Sequence, residues 1–214
     1  MEKSEYRVNL VNEYLTKLSL SEDIKEFFFR RNILVTGGAG AIGSNLVIAL
    51  SELVGDQGMV IVLDNLSAIK GDDPIDYPSL SNVMFVQGDV RNDVDLKRVF
   101  RERPTIVYHL AAFFANQNSV DFPENSADVD INGIIKLLDL AQFTNVERFV
   151  YASSGCAIYG SYGEMPLKED FISMHLTTPY QINKMTGEMY ANFYFHHYGL
   201  KIVNCRFFNS FGPG

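Results

Sequence analysis

Cysteine is scarce in this sequence: Cys156 and Cys205 are the only two among 214 residues, far apart and without a CxxC spacing. That excludes a disulfide framework and a cysteine zinc site, and both thiols are expected to be reduced. Positive charge is also in short supply. Lys and Arg number 18 against 26 Asp and Glu, a net charge of -8, which opposes the basic footprint that a phosphate backbone demands and so argues against a nucleic-acid partner. No apolar run approaches the roughly 20 residues of a membrane-spanning helix. The opening Met1-Glu2-Lys3-Ser4-Glu5 is charged where a secretion signal would turn apolar. Neither a membrane nor export is expected, and the expected location is cytoplasmic. There is no repeat or low-complexity tract.

What is present is a globular composition, 47% hydrophobic and 21% charged, enough for a substantial core in one domain or a domain and a half. Residues 1–31 read as an extension. Leu10, Val11, Tyr14, Leu15 and Leu18 recur at helical spacing, and Ser19 with Glu22 has the capping-box arrangement that would open a second helix. Nothing there carries site chemistry, so the extension reads as a packing appendage or an oligomer contact. From Asn32 the pattern changes to short apolar runs alternating with longer helical stretches. Strands are predicted at 33–36, 59–63, 83–87, 105–110, 148–153 and 201–207, with helices at 41–54, 94–103, 124–143 and 179–198. Most of the strands are apolar on both faces, as in a parallel sheet covered by helices on each side. The right-handed crossover rule then favours a doubly wound α/β sheet of about six strands over 32–214. Residues 67–81 read as a loop.

Directly after the first predicted strand comes Thr36-Gly37-Gly38-Ala39-Gly40-Ala41-Ile42-Gly43. Gly37 would allow the tight turn, Gly40 close approach of backbone to a pyrophosphate, and Gly43 close packing of the new helix. The helix start at Ala41 and Ile42 offers unpaired N–H groups and a partial positive charge to phosphates, so an acidic protein can still hold an anion. The second strand leads to Asp64, placed to accept hydrogen bonds from an adenosine ribose and to repel a 2′-phosphate. That favours NAD over NADP. Because ligands of open α/β sheets lie beyond the carboxyl ends of strands, Asp89 and Val90 are candidates for adenine contacts, and Leu110, Ala111 and Ala112 for close passage of the cofactor. Asn132 is expected to be a buried amide with either a structural or a cofactor role.

The fifth strand ends at Ser153 and Ser154, and the last long helix opens with Pro179, Tyr180 and, one turn on, Lys184. A nearby ammonium and a cationic nicotinamide would favour the phenolate of Tyr180, which could then take a proton from a substrate hydroxyl oriented by a serine. On its own such a Tyr/Lys pair is ordinary helix surface, and its weight comes from the neighbouring motifs. His196 and His197 stand at adjacent helix positions, point in different directions and cannot chelate one metal from one face. No metal site is expected.

Together these residues resemble the extended short-chain dehydrogenase/reductase family, the NAD-dependent sugar-nucleotide epimerases and dehydratases, from about Asn32 to Gly214. Thr36 to Gly43 resembles its TGxxGxxG loop, Asp64-Asn65-Leu66-Ser67 its turn after strand two, and Gly88-Asp89-Val90 its adenine contact. His109-Leu110-Ala111-Ala112 resembles its loop after strand four, Tyr180 to Lys184 its YxxxK pair, and Arg206 to Pro213 its RxxNxxGP segment. The resemblance implies a Rossmann-type sheet binding NAD, with Asn65 and Ser67 as further cofactor contacts. Tyr180 would be the base and Lys184 the cofactor clamp. Ser153 and Phe207 would lie beside the cofactor, and Asn209 near the substrate.

The family's catalytic Ser or Thr falls four residues before the tyrosine matched by Tyr159, a position held here by Gly155. The catalytic role is therefore assigned to Ser154, with Ser153 as the fallback. Gly155 and Cys156 also stand where the 4,6-dehydratases resemble one another in carrying an Asp-Glu pair, which argues against dehydration. A UDP-hexose 4-epimerase-like reaction on a nucleotide sugar leads. A GDP-mannose 3,5-epimerase-like enzyme using Cys156 as acid or base is one alternative, and a non-catalytic NAD-binding scaffold another. The plainer reading of Cys156 is a small buried hydrophobe. The family's substrate-binding lobe would need about a hundred further residues, so a C-terminal lobe largely missing from this chain is expected. The resemblance also implies that helices 124–143 and 179–198 could build a homodimer through a four-helix bundle.

Overall fold

The computed structural model describes residues 3–68, 80–113, 116–160 and 165–212. In chain order the elements are α1 (Lys3–Leu18), α2 (Glu22–Phe28), β1 (Asn32–Thr36), α3 (Ala41–Val54), β2 (Met59–Asp64), β3 (Val83–Gln87), α4 (Asp93–Phe100) and β4 (Ile106–His109). There follow α5 (Asn116–Asp121), α6 (Pro123–Ala127), a π-helical turn (Asp128–Asn132), α7 (Gly133–Phe143), β5 (Arg148–Ser154), α8 (Gly155–Tyr159), α9 (Pro179–Tyr198) and β6 (Ile202–Phe207). The strands form one sheet in the order β3-β2-β1-β4-β5-β6 with parallel pairing. This is the doubly wound Rossmann order, whose direction reverses between β1 and β4.

The chain divides into two compact units, Met1–Leu110 with Phe211–Gly214, and Ala111–Ser210. In the first, β-branched runs such as Asn-Ile-Leu-Val-Thr and Met-Val-Ile-Val-Leu-Asp bury both strand faces. Val47, Leu50 and Val54, spaced along one stripe of α3, pack on Ile33, Val35, Val60, Val62 and Ile106. Each such side chain contributes roughly 1.5–3 kcal/mol by leaving water. Helices α1 and α2 pack against α3, and Arg7 Nη2 donates to Ser44 Oγ at 2.5 Å. In the second unit, β5 and β6 pair in register from Phe149 with Ile202 to Ser154 with Phe207, and α9 packs on both strands.

All six predicted strands form, each within one residue of its expected bounds, and the structure corrects four local expectations. Ser19 does not open α2. It ends α1 in the left-handed region, at φ +46, while Ser21 caps α2 without a side-chain bond. The single helix expected over 124–143 is interrupted: Pro123 starts α6, and the π-helical turn inserts one extra residue before α7. Apolar periodicity cannot register such an insertion. It turns both Val129 and Asp130 inward, whereas Asn132 is exposed and donates to Asp128. Finally, the edge strand β6 is only partly covered. Of the loop at 67–81, residues 69–79 lie outside the described residues.

Candidate active site

In the first unit, Gly37 turns through φ +71 directly after β1, and its N–H donates to Leu63 O at 2.9 Å. A Cβ on Gly43 would sit 2.2 Å from Gly37 O, so only glycine lets α3 pack against that turn. Gly40 caps α3 with no side-chain bond, and the first turn of α3 contains no acidic residue. The N–H groups at this helix start are thus free of any side-chain cap, as an anion site requires. Ala41 and Ile42 are exposed there.

Asp64 anchors the same loop. Its Oδ2 accepts from Ala39 N–H at 2.9 Å and its Oδ1 from Leu66 N–H at 2.8 Å, which leaves one lone pair on each oxygen for a hydroxyl donor. Asn65 Oδ1 accepts from Ser67 N–H, and Asn65 Nδ2 donates to Asp89 Oδ2 at 3.0 Å. The Asp89 carboxylate is committed to Arg91, whose guanidinium donates to both oxygens at 2.8 and 2.9 Å. The Arg91 side chain holds it down to about 2. Val90 is buried, and Leu110 is half-buried, with its N–H donating to Thr36 O.

In the second unit, the start of α9 is over-determined. Thr178 and Gln181 form a reciprocal capping box, Pro179 occupies the first turn, and Tyr180 N–H donates to Ser119 Oγ at 3.1 Å. Gln181 Nε2 reaches Cys156 O at 3.2 Å, tying α8 to α9. These contacts set the Tyr180 ring, on whose phenol the Ser154 hydroxyl acts. Ser154 Oγ also lies 3.2 Å from Cys156 Sγ, and Cys156 is exposed. One turn along α9, Lys184 is 3% exposed, donates to Ala152 O at 2.8 Å and lies 5.8 Å from the centre of the Tyr180 ring. Ser154, Tyr180 and Lys184 therefore come together within one unit.

Ser153 faces elsewhere, donating to Glu188 Oε1 at 2.6 Å. Gly155 stands where a catalytic hydroxyl was expected, because a Cβ there would meet the Phe208 ring at 2.6 Å. Phe207 and Asn209 lie exposed at and beyond the end of β6, Ala111 and Ala112 are half-buried after β4, and Pro213 of the matched segment lies outside the described residues.

Burial dominates the electrostatics of this cluster. It pushes the Tyr180 phenol above its ordinary value, with the Ser154 hydrogen bond working against it, and it pushes the Lys184 ammonium down. Burial thus works against the phenolate that a nearby ammonium and a cationic nicotinamide would together favour. A hydroxyl, a phenol and a buried ammonium so arranged can pass a proton to and from an oxygen held beside them.

Two neighbours of these groups escaped the sequence reading, Asp130 and Glu188. Asp130 accepts from Phe113 N–H at 2.7 Å. Glu188 is held by Arg206 through two bonds, at 3.0 and 2.9 Å. Arg206 also donates to Tyr159 Oη and Glu169 O. Glu188 had a signal: it follows Tyr180 and Lys184 at the same four-residue spacing, hence on the same helix face.

Residues 33–214 match the NAD dependent epimerase/dehydratase family. The UDP-glucose 4-epimerase of Mycolicibacterium smegmatis is 34% identical over 181 residues, 84% of this chain and 56% of that protein. An epimerase from the methanogen Methanothermobacter thermautotrophicus superposes with a TM-score of 0.84 at 49% identity, covering 90% of this chain and 55% of its own. The Thermus thermophilus UDP-glucose 4-epimerase in complex with NAD superposes at 0.71 with 38% identity, covering 82% and 54%. The chain thus spans a little over half the length of these relatives. NAD is the family's cofactor, and the uncapped helix start, the glycine turn and the Asp64 carboxylate fit it. With the sheet order, the loop geometry and this match in agreement, the chain belongs to the NAD-dependent epimerase/dehydratase family.

Proposed function

We propose that this chain is the cofactor-binding and proton-transferring part of a nucleotide-sugar 4-epimerase, with residues 1–31 as a packing extension of an NAD-binding domain over 32–214. The observation that carries the reading is the joining of Ser154, Tyr180 and Lys184 within one unit. Gly37, Gly40, Ala41, Ile42 and Gly43 would hold the pyrophosphate, Asp64 with Asn65 and Ser67 the adenosine ribose, and Asp89 with Val90 the adenine side. Leu110, Ala111, Ala112, Ser153 and Phe207 are the further candidate contacts. When bound, NAD would supply the two-electron acceptor and donor. Ser154 orients the C4 hydroxyl of the sugar, Tyr180 accepts its proton as the C–O bond becomes a carbonyl, and Tyr180 returns that proton to the same oxygen later. Lys184 favours the proton-free state of Tyr180 by its charge. Asn209 is placed with the substrate.

A second reading rests on Cys156, whose exposed thiol stands 3.2 Å from Ser154 Oγ, where it could serve as acid or base at a carbon next to the keto group. Incubating the full-length protein with UDP-glucose and with GDP-mannose tests both. Epimerised UDP-glucose supports the first and epimerised GDP-mannose the second. Bound NAD with silence toward both would leave a non-catalytic NAD-binding protein.

Gly43→Ala gives a separate check on the cofactor. The new methyl would strike Gly37 O, and the NAD Kd measured by calorimetry is expected to rise roughly tenfold or more, about 1.4 kcal/mol. An unchanged Kd would remove the glycine turn from the cofactor site. We also infer a homodimer through α7 and α9, supported by exposed apolar side chains on α9, among them Ile182, Met189 and Phe193, and by Phe143 on α7. Light scattering would report a mass of two chains.

A further inference from the structure

Among the described residues the second unit buries two carboxylates, Asp130 and Glu188, and they differ in how they are neutralised. Glu188 is clamped by the Arg206 guanidinium and also accepts from Ser153. Among the described residues, Asp130, only 2% exposed, accepts hydrogen bonds from neutral donors: Phe113 N–H at 2.7 Å, Ser126 Oγ at 3.3 Å and Asn183 Nδ2 at 3.4 Å. The residue after Asn183 is Lys184, a buried ammonium whose direct hydrogen bond runs to the neutral Ala152 carbonyl. A buried charge without a counter-charge is costly enough that it normally neutralises, a carboxylate by taking up a proton and an ammonium by losing one. The π-helical turn is what brings the carboxylate inward to this place.

We propose that Asp130 is the buried counter-charge that keeps Lys184 in its ammonium form beside Tyr180, a positioning residue for the proton transfer that also pins the backbone following β4 through Phe113. This rests on the reading of Tyr180 and Lys184 given above. Around Lys184 stand Tyr151 and the Ala152 carbonyl from β5 and Tyr180 from its own helix, while Asp130, on the π-helical turn, is bonded to the preceding residue Asn183 and acts on Lys184 through its charge; Glu188 also lies on α9, spent on Arg206, and Cys156 on α8 acts on Tyr180. Burial pushes the Asp130 carboxyl up and the Lys184 ammonium down, and in each case the partner's charge opposes the shift. Asp130 also acts on both tyrosines, pushing their phenols up. The pair thus sets the electrostatic background against which Tyr180 titrates.

The sign follows. Removing the negative charge lowers the Lys184 value further, so the ammonium is lost at a lower pH. In protein carrying 13Cε-labelled lysine, with the Lys184 resonance identified by its absence in Lys184→Met, Asp130→Asn is expected to move the Lys184 titration midpoint down by about one unit, a tenfold change in the protonation equilibrium. With a nucleotide sugar, the alkaline limb of the rate profile is expected to move the same way, whereas a merely structural role would lower the rate evenly at every pH. An unmoved midpoint in Asp130→Asn overturns the proposal. Should that variant fail to fold, the unaltered protein decides the matter. Its Lys184 resonance is expected to show a second inflection in the acid range as Asp130 takes up a proton, and a single step overturns the idea. Full turnover by Lys184→Met would instead sink the underlying reading of Lys184.

Discussion

Tyr180→Phe is expected to lower turnover of the nucleotide sugar by about 10²- to 10⁴-fold, the range for losing a positioned acid–base group, while NAD affinity stays close to that of the unaltered protein. The reason lies in the local geometry. The Ser154 hydroxyl acts on the phenol, and the start of α9 is fixed by the Thr178 cap and the Ser119 contact at the Tyr180 backbone. Phenylalanine keeps every backbone contact and loses only the oxygen that exchanges the proton. Lys184 cannot replace it, being buried and bonded to Ala152. Among the described residues Cys156 is the nearby alternative, and a Tyr180→Phe variant with its rate intact would transfer the role there. Rates with saturating sugar, set beside NAD binding by calorimetry, separate the two effects.

Arg206→Ala is expected to destabilise the second unit by about 3–5 kcal/mol, the cost of stranding a buried charge. The guanidinium joins three elements: it clamps Glu188 on α9, contacts Tyr159 on α8 and stands on β6 itself. Tyr159 in turn stacks on Phe171 and Phe208. Removing the cation leaves Glu188 with Ser153 as its remaining donor. Denaturant unfolding would show the loss. The double replacement of Arg206 by Met and Glu188 by Leu is expected to recover much of it, because exchanging a whole buried pair for apolar groups is often neutral. A single variant as stable as the parent would show that the pair does not hold these elements together.

The elements and the loops at strand ends were legible because their signals are local. Apolar runs of five or six residues, glycines at 37, 40 and 43, and a Pro-Tyr-x-x-x-Lys helix start all act through near neighbours in sequence. The choice between Ser153 and Ser154 was not local. Adjacent residues on a strand face opposite ways, and only the packing of α9 decides that one hydroxyl meets Tyr180 and the other Glu188. The Phe208 ring packs against Gly155, a contact between residues far apart in sequence that no local signal carries. Asp130 was hidden for a further reason: an acid among Asp128, Asn132 and Lys136 reads as a solvated helix face, and the π-helical turn that buries it leaves no trace in the apolar period.

The most direct test concerns where the proton and hydrogen go. UDP-glucose should be converted by the full-length protein in heavy water and the product analysed by NMR. If Tyr180 handles only the hydroxyl proton, the sugar carbons of the epimerised product will carry no solvent deuterium. Deuterium on a carbon flanking the keto position, removed by Cys156→Ser, would contradict that assignment and make the thiol the working acid or base.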